Sequence, residues 1–302
     1  MAIRCVDFPA AGQIAIGSGF SCTTTGAGLN QSIQAALCGC EVFLVSKVGK
    51  DKFAELVKNN LENHGVSCDF VFEAEAKNTG VSVSLVNSSG ANRTVISEGA
   101  NKALCAGDIK TEEFERLLSS ADVCLINADL ASDFVCAAIR AAKLNKTKVI
   151  LDPALSSEQL ESKSGQLPLD YYTADILVPN FAEAAGLSTP ASHNIHTAKI
   201  IGSDLIARGA GCAVIKLGAK GALVVDREGA SHIPAFEIKF IDHGGCGDAF
   251  DGALAASCAV GDEVRKAVKF AAAAGALACT KFGAVEALPK KAEIIELLQT
   301  LP

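Results

Sequence analysis

Asp248 stands just past a stretch in which three of four consecutive positions, Gly244, Gly245 and Gly247, are glycine, and an apolar, small-residue segment with helical spacing succeeds it over 251–260. Glycine lets backbone amides approach an anion with no Cβ in the way, and the first turn of a helix adds unsatisfied N–H groups and the positive end of its dipole. A phosphate suits such a turn. A carboxylate at the same helix start has two readings, an N-terminal cap or a base working beside the phosphate. The β-type run over 233–241 predicts that the turn is entered from a strand.

A second glycine-rich loop, residues 21–28, opens a helix over 29–37 whose first turn carries the polar pair Asn30 and Gln31. That arrangement fits a polar ligand. Other candidates end apolar runs: Asn127 and Asp129, Asp152, Asn180 with Glu183, and Lys216 with Gly218 and Gly221. Each alone is an ordinary cap or turn residue. They matter together, because in a parallel sheet the carboxyl ends of the strands share one rim, and ligands bind there.

The elements that must position these residues are set by periodicity. From residue 121 the chain alternates strands over 123–127, 149–151, 176–178, 213–217 and 222–225 with helices over 132–144 and 195–208, the pattern of an α/β fold with a mainly parallel central sheet and helices on both faces. Earlier, residues 41–48 predict one buried strand and 52–64 an amphipathic helix stopped by Gly65. Over 68–96 the pattern changes to period two, with Val81, Val83 and Leu85 alternating with serines and a turn over 87–90, which predicts a hairpin. With the N-terminal strands it forms a small β lid of residues 1–22 and 70–98, leaving 23–69 and 99–302 as the α/β domain.

Composition narrows the function classes. Among 302 residues, 49% are hydrophobic and 20% charged, enough for a well-filled core. A net charge of −7 opposes nucleic acid or an anionic membrane as the main partner and favours small molecules. No apolar run spans a bilayer and the N-terminus lacks an apolar signal core, so a cytoplasmic protein is expected. The 12 cysteines are scattered without a C-x-x-C pair, which reads as buried thiols in a reducing compartment.

Several of these stretches resemble the ribokinase-like (PfkB) carbohydrate kinases. The turn over 245–250 is similar to the family's carboxy-terminal signature, and residues 26–31 to its amino-terminal glycine motif, with an Asn-Gln pair typical of ribokinases. Residues 48–53 resemble V-G-x-D-x-F, residues 179–183 the N-x-x-E element and residues 217–221 the nucleotide loop. The resemblance implies phosphorylation of a sugar hydroxyl by ATP with Mg²⁺. Asp248 is then the base, the amides of Gly245, Cys246 and Gly247 the anion hole, and Gly26, Asn30 and Asp129 sugar ligands. Asn180, Lys216, Gly218, Gly221 and Gly247 meet the nucleotide, and Glu183 meets Mg²⁺ through water. It further implies a monovalent cation, usually potassium, held by Asp242 and by backbone at Gly244, Ala278, Lys281, Gly283 and Ala287. Dimerisation in the family uses lid strands. The face of Val81, Val83 and Leu85 is either such a surface or packs on its own domain.

Departures accompany the match. The family's chain starts with a strand whose Asp grips sugar hydroxyls, and residues 3–9 match the segment after that strand; truncation or divergence is preferred here over Asp7 as a substitute. Thr25 and Ala27 replace glycine and lysine in the first loop, His243, Gly244 and Cys246 replace small hydroxyl and alanine residues, and Ala272 stands where ribokinases place an Asn near the nucleotide. Three functions therefore stay open: a sugar kinase, a nucleoside kinase, or a sugar- or nucleotide-binding regulatory protein with the kinase fold and impaired turnover. A dehydrogenase fails, since no glycine fingerprint comes after an early strand.

Overall fold

The N-terminal third divides between two places in the computed structural model, which describes residues 1–155, 167–187 and 194–300. Strands β1 (Ala2–Arg4), β2 (Gly19–Ser21), β7 (Val81–Val86) and β8 (Asn92–Ser97) form a flanking sheet in the order β2-β1-β7-β8. The expected hairpin is there: β7 and β8 pair antiparallel with Val83 opposite Val95, and the turn uses Gly90 at φ +81°. Helix α1 (Ala27–Leu37), β3 (Val42–Phe43), β4 (Ser46–Gly49), α2 (Lys52–Asn63), β5 (Val66–Ser67) and β6 (Val71–Ala74) lie with the larger body. The single strand expected over 41–48 is two. Leu44 N–H donates to Ser67 and Ser46 N–H to Phe70, so the chain changes partner from β5 to β6 at that point. Since β6 pairs with β4, the lid boundary expected at residue 70 takes in a strand that belongs to the other body.

The second body is one six-stranded sheet, ordered β14-β13-β12-β11-β10-β9. Strands β9 (Val123–Asn127), β10 (Lys148–Asp152), β11 (Ile176–Leu177) and β12 (Cys212–Lys216) run parallel, and β13 (Ala222–Asp226) and β14 (Gly229–Ile233) add antiparallel turns. Side chains alternate between two cores as the pleat requires. Leu151, Ile215 and Leu223 face a cluster completed by Phe114 of α3 (Glu112–Ser120), Ile139 of α4 (Ser132–Leu144) and Leu205 of α6 (Ile195–Ala207); the short α5 spans Phe181–Gly186. Ile150, Val214 and Val224 face the opposite cluster, with Leu254 of α7 (Cys246–Ala259), Val268 of α8 (Val264–Ala278) and Ile294 of α9 (Lys291–Gln299). Each fully buried Ile or Leu contributes about 1.5–3 kcal/mol. Helices cover both faces, as expected.

One expected strand is not formed as such. The run over 233–241 leaves the sheet at Ile233, opposite Ala222, because Pro234 has no amide to continue the ladder. An irregular segment therefore leads into α7.

Two glycines bring helices unusually close. A Cβ on Gly252 of α7 would strike the Gln31 carbonyl and lie 2.8 Å from the Gln34 Cβ of α1, and one on Gly275 of α8 would lie 3.1 Å from the Cys246 carbonyl. On the side of α1 toward α7, Asn30, Gln31 and Gln34 are all buried. Burying three amides in one helix demands partners, and Gln34 finds one in the Pro289 carbonyl at 3.0 Å.

Among the described residues β9 is the last strand of its sheet. Its outer edge opens on a cavity of about 770 Å³, lined by Met1, Val42, Leu44, Cys124 and Ala255 on its apolar side and by Gly26, Gln31, Asn127 and Asp129 on its polar side. Asp7 stays away: it is exposed and accepts the amide of Phe8. No helix among the described residues is long and apolar enough to cross a membrane.

Candidate active site

At the carboxyl ends of β9, β10 and β12 the chain gathers carboxylates around one ammonium and one amide. Gly245 enters α7 in the left-handed region, φ +73°, with an added Cβ only 3.2 Å from Ala284; glycine is required here. It is the N-cap, so Asp248 lies inside the first turn and does not cap the helix. Nothing within 4 Å would meet a Cβ at Gly247, which leaves the mouth of the helix open to a ligand. The earliest N–H groups of α7 have no intrahelical acceptor, and Cys246 N–H makes only a long 3.4 Å bond to the His243 carbonyl.

Asp248 is aimed by α1. Asn30 Nδ2 donates to Asp248 Oδ2 at 2.7 Å, with Thr25 Oγ1 at 3.4 Å behind it, and Gln31 Nε2 lies 3.4 Å from Asp248 Oδ1. Burial pushes the Asp248 carboxyl up to about 6, against the Asn30 hydrogen bond and with the help of Asp152. That value suits a base at neutral pH. The buried Asn30 Oδ1 has no hydrogen-bond partner.

Beneath Asp248, Gln31 Nε2 also reaches Asp152 Oδ2 at 3.3 Å and Asp251 Oδ2 at 3.5 Å. Asn127 Nδ2 holds Asp152 Oδ2 at 2.9 Å. Lys216, expected at the nucleotide, instead points inward: its Nζ lies 2.8 Å from Asp251 Oδ2 and 3.7 Å from Asp152 Oδ1, with 15% of the side chain exposed. Burial opposes its charge, but Asp152 and Asp251 hold the ammonium above its ordinary value. Burial likewise raises Asp251 well above the usual carboxylate range. Asp251 escapes the sequence reading because it sits in a run of small apolar residues; the signal available is a carboxylate three positions after Asp248 on the same helical face, which a buried helix tolerates only with a partner.

The other expected residues are distributed unevenly. Gly26 caps α1 and its carbonyl accepts Asn30 N–H at 2.9 Å. Asp129 lines the cavity at the rim, 71% exposed and 3.7 Å from Lys102. Asn180 and Glu183 form a reciprocal cap on α5, the Asn180 side chain accepting Glu183 N–H at 2.9 Å and Glu183 Oε2 accepting Asn180 N–H at 2.8 Å. Burial, then Asp152, raises the Glu183 carboxyl. An Asn180–Lys216 backbone bridge ties this helix to β12. Gly218 and Gly221 both have positive φ, +59° and +86°, and make the tight turn between β12 and β13.

Two residues expected at the cation, Gly244 and Gly283, both donate their amides to a third, Asp242. Asp242 Oδ1 accepts Gly244 N–H and Oδ2 accepts Gly283 N–H, both at 3.2 Å, and the Cys279 carbonyl accepts the amides of Ile241 and Asp242. These bonds lay 241–244 against 278–283. Although burial opposes it, the amides of Gly283 and Gly244 hold the Asp242 carboxyl below its ordinary value. Lys281 turns its side chain to Glu293, and Ala278 and Ala287 are fully buried. No group of three or more His, Cys, Asp or Glu among the described residues has metal-holding geometry.

The chain is similar to known proteins along nearly its whole length. The family model for pfkB family carbohydrate kinases matches residues 1–291. A ribokinase of Mus musculus is 31% identical over 249 residues, covering 82% of this chain and 75% of its own. A deoxyribokinase of Salmonella typhi is 28% identical over 292 residues, 97% of this chain and 93% of its own. The solved structure of Arabidopsis thaliana ribokinase complexed with ribose and ATP has the same fold, with a TM-score of 0.91 at 23% identity over 99% of this chain and 95% of that one.

Proposed function

Since the chain belongs to the pfkB family of carbohydrate kinases, phosphotransferases with an alcohol acceptor, we propose that it transfers the γ-phosphoryl group of ATP to a hydroxyl of a pentose, with Asp248 as the base. The observation that carries this reading is the Asp248 carboxylate, held at 2.7 Å by Asn30 beside the open, glycine-bounded start of α7. Asp248 takes the proton of the attacking hydroxyl, and the hydroxyl oxygen bonds to phosphorus as the bond to the leaving diphosphate breaks. Charge on the phosphoryl oxygens is met by the amides of Gly245, Cys246 and Gly247, which are fixed before reaction and so lose nothing to reorganisation. Mg²⁺ would shield the phosphate charges when bound, and Glu183 would hold it through water.

Asn30 and Gly26 bind the sugar from the first loop, and Asp129 closes on it from the rim. Gly218 and Gly221 shape the nucleotide turn, next to Asn180. The bonds from Asp242 to Gly244 and Gly283 support a monovalent cation site behind the anion hole, potassium being the family's usual ion. The flanking sheet serves as the lid, and its exposed Phe20 and Val95, on the face of Val83 and Leu85, support a homodimer through that sheet. A pentose is favoured because relatives across most of the chain are named ribokinase and deoxyribokinase.

The test is ADP release, measured with ATP and Mg²⁺ over a panel of ribose, deoxyribose, hexoses and nucleosides, with and without potassium. Turnover with a pentose is expected. Normal ATP binding with no turnover on any acceptor would replace this reading with that of a regulatory protein.

A further inference from the structure

Four acidic side chains, Asp152, Asp248, Asp251 and Glu183, converge at the floor of the site with a single ammonium, Lys216, among them. From the geometry we infer that Lys216 is a positioning residue for the base: anchored by Asp251, it offsets the charge of Asp152 and so keeps Asp248 ionised and receptive to the substrate proton. This rests on Asp248 being the base.

The connections are direct. Lys216 Nζ is 2.8 Å from Asp251 Oδ2 and 3.7 Å from Asp152 Oδ1, and both carboxylates reach the Gln31 amide that also touches Asp248. One amide nitrogen carries two hydrogens, so it cannot satisfy three carboxylates at once. Without a cation, the cheapest way to relieve that crowding is to protonate one of them, and Asp248 is the one that must stay ionised for the reaction. The groups around Asp248 come from several elements: α1 presents the neutral Asn30 and Gln31, β9 ends in the neutral Asn127, β10 ends in Asp152, β12 ends in Lys216, α7 carries Asp251, α8 has no titratable side chain over 270–278, and Glu183 of α5 faces Asp152 and Lys216. Lys216 is the one cation in that set. Its burial also argues for this role, because an ammonium meant for a mobile nucleotide has no reason to be tied at 2.8 Å to a fully buried carboxylate.

The experiment compares the parent with Lys216→Gln and Lys216→Arg, reading the pH profile of kcat/KM for the sugar, the KM for ATP and the melting temperature. Removing a nearby charge moves a carboxyl pKa by about one unit or more. In Lys216→Gln the acid limb should rise by about one pH unit, giving about a tenfold loss below pH 6, about twofold at pH 7 and none at pH 9. Lys216→Arg should restore the parent's limb. A uniform loss at every pH, or a loss confined to the KM for ATP, overturns the inference in favour of a phosphate contact. Should Lys216→Gln not fold, Asp251→Asn keeps the ammonium and frees it toward Asp152 and Asp248, so the limb should fall, and an unmoved limb there overturns the inference equally. Asp248→Asn run in parallel separates the two readings: retained activity in that variant defeats Asp248 as the base, whatever Lys216 does.

Discussion

Asp248→Asn should cost the enzyme its rate and make it more stable, and the stability gain should depend on pH in a way that burial alone dictates. Burial raises the Asp248 carboxyl from 3.8 to about 6. A folded-state pKa above the unfolded one means that the folded chain holds the proton more tightly, so the parent loses stability as pH rises from about 4 to about 6 and does not regain it above. Each pKa unit is worth about 1.36 kcal/mol, which makes the loss about 3 kcal/mol. Asparagine keeps an acceptor for Asn30 and cannot ionise. The stability of the variant relative to the parent should therefore grow by about 3 kcal/mol between pH 3 and pH 7, equivalent to about 5 °C in a chain of this length. Urea unfolding at half-unit pH steps measures it, and the same samples should show about a thousandfold loss of ADP release. Parallel stability curves for parent and variant, or a variant keeping more than about a tenth of the rate, would refute the placing of an ionised, buried base at this position.

Other substitutions probe the frame around it. Gly245→Ala puts a Cβ in the left-handed region against Ala284, so about 1–3 kcal/mol of stability should be lost, with a higher KM for ATP because the amides of the anion hole turn away; thermal melting and initial rates check both. Asn30→Ala removes the 2.7 Å bond to Asp248 and the free Oδ1 acceptor, so the KM for the sugar should rise about tenfold while the acid limb of kcat/KM moves upward. Unchanged sugar affinity in that variant would exclude Asn30 from the acceptor site.

How far the residues alone foretell this arrangement depends on whether a signal is local. The parallel sheet is legible because each strand end is a change from apolar to polar side chain, and Asn127, Asp152 and Lys216 all lie at such changes and do meet. The glycine turn is legible for a similar reason, since a positive φ selects glycine at 245. Contacts made between distant segments leave no such trace. Nothing near Lys216 in the chain says that its ammonium faces inward, because its partner, Asp251, is supplied by a helix 35 positions later. The Asn180 and Glu183 spacing that resembles the family's N-x-x-E element is also the spacing of a reciprocal helix cap, which the two residues form. The run over 233–241 has the apolar residues of a strand, and Pro234 outweighs them. The strand at 41–48 breaks because its two halves pair with different neighbours, which no local pattern encodes.

The close approach of α1, α7 and α8 at Gly252 and Gly275 has a consequence for how this enzyme can change. Where backbones touch, a larger side chain has nowhere to go, so the floor carrying Gln31, Asp248 and Asp251 cannot be remodelled by stepwise enlargement. The rim is different: Thr25, Asp129 and the flanking sheet adjoin open space and can vary singly. Selection for a new acceptor should therefore recover changes around the entrance, while the same three helices pass unaltered from one specificity to the next.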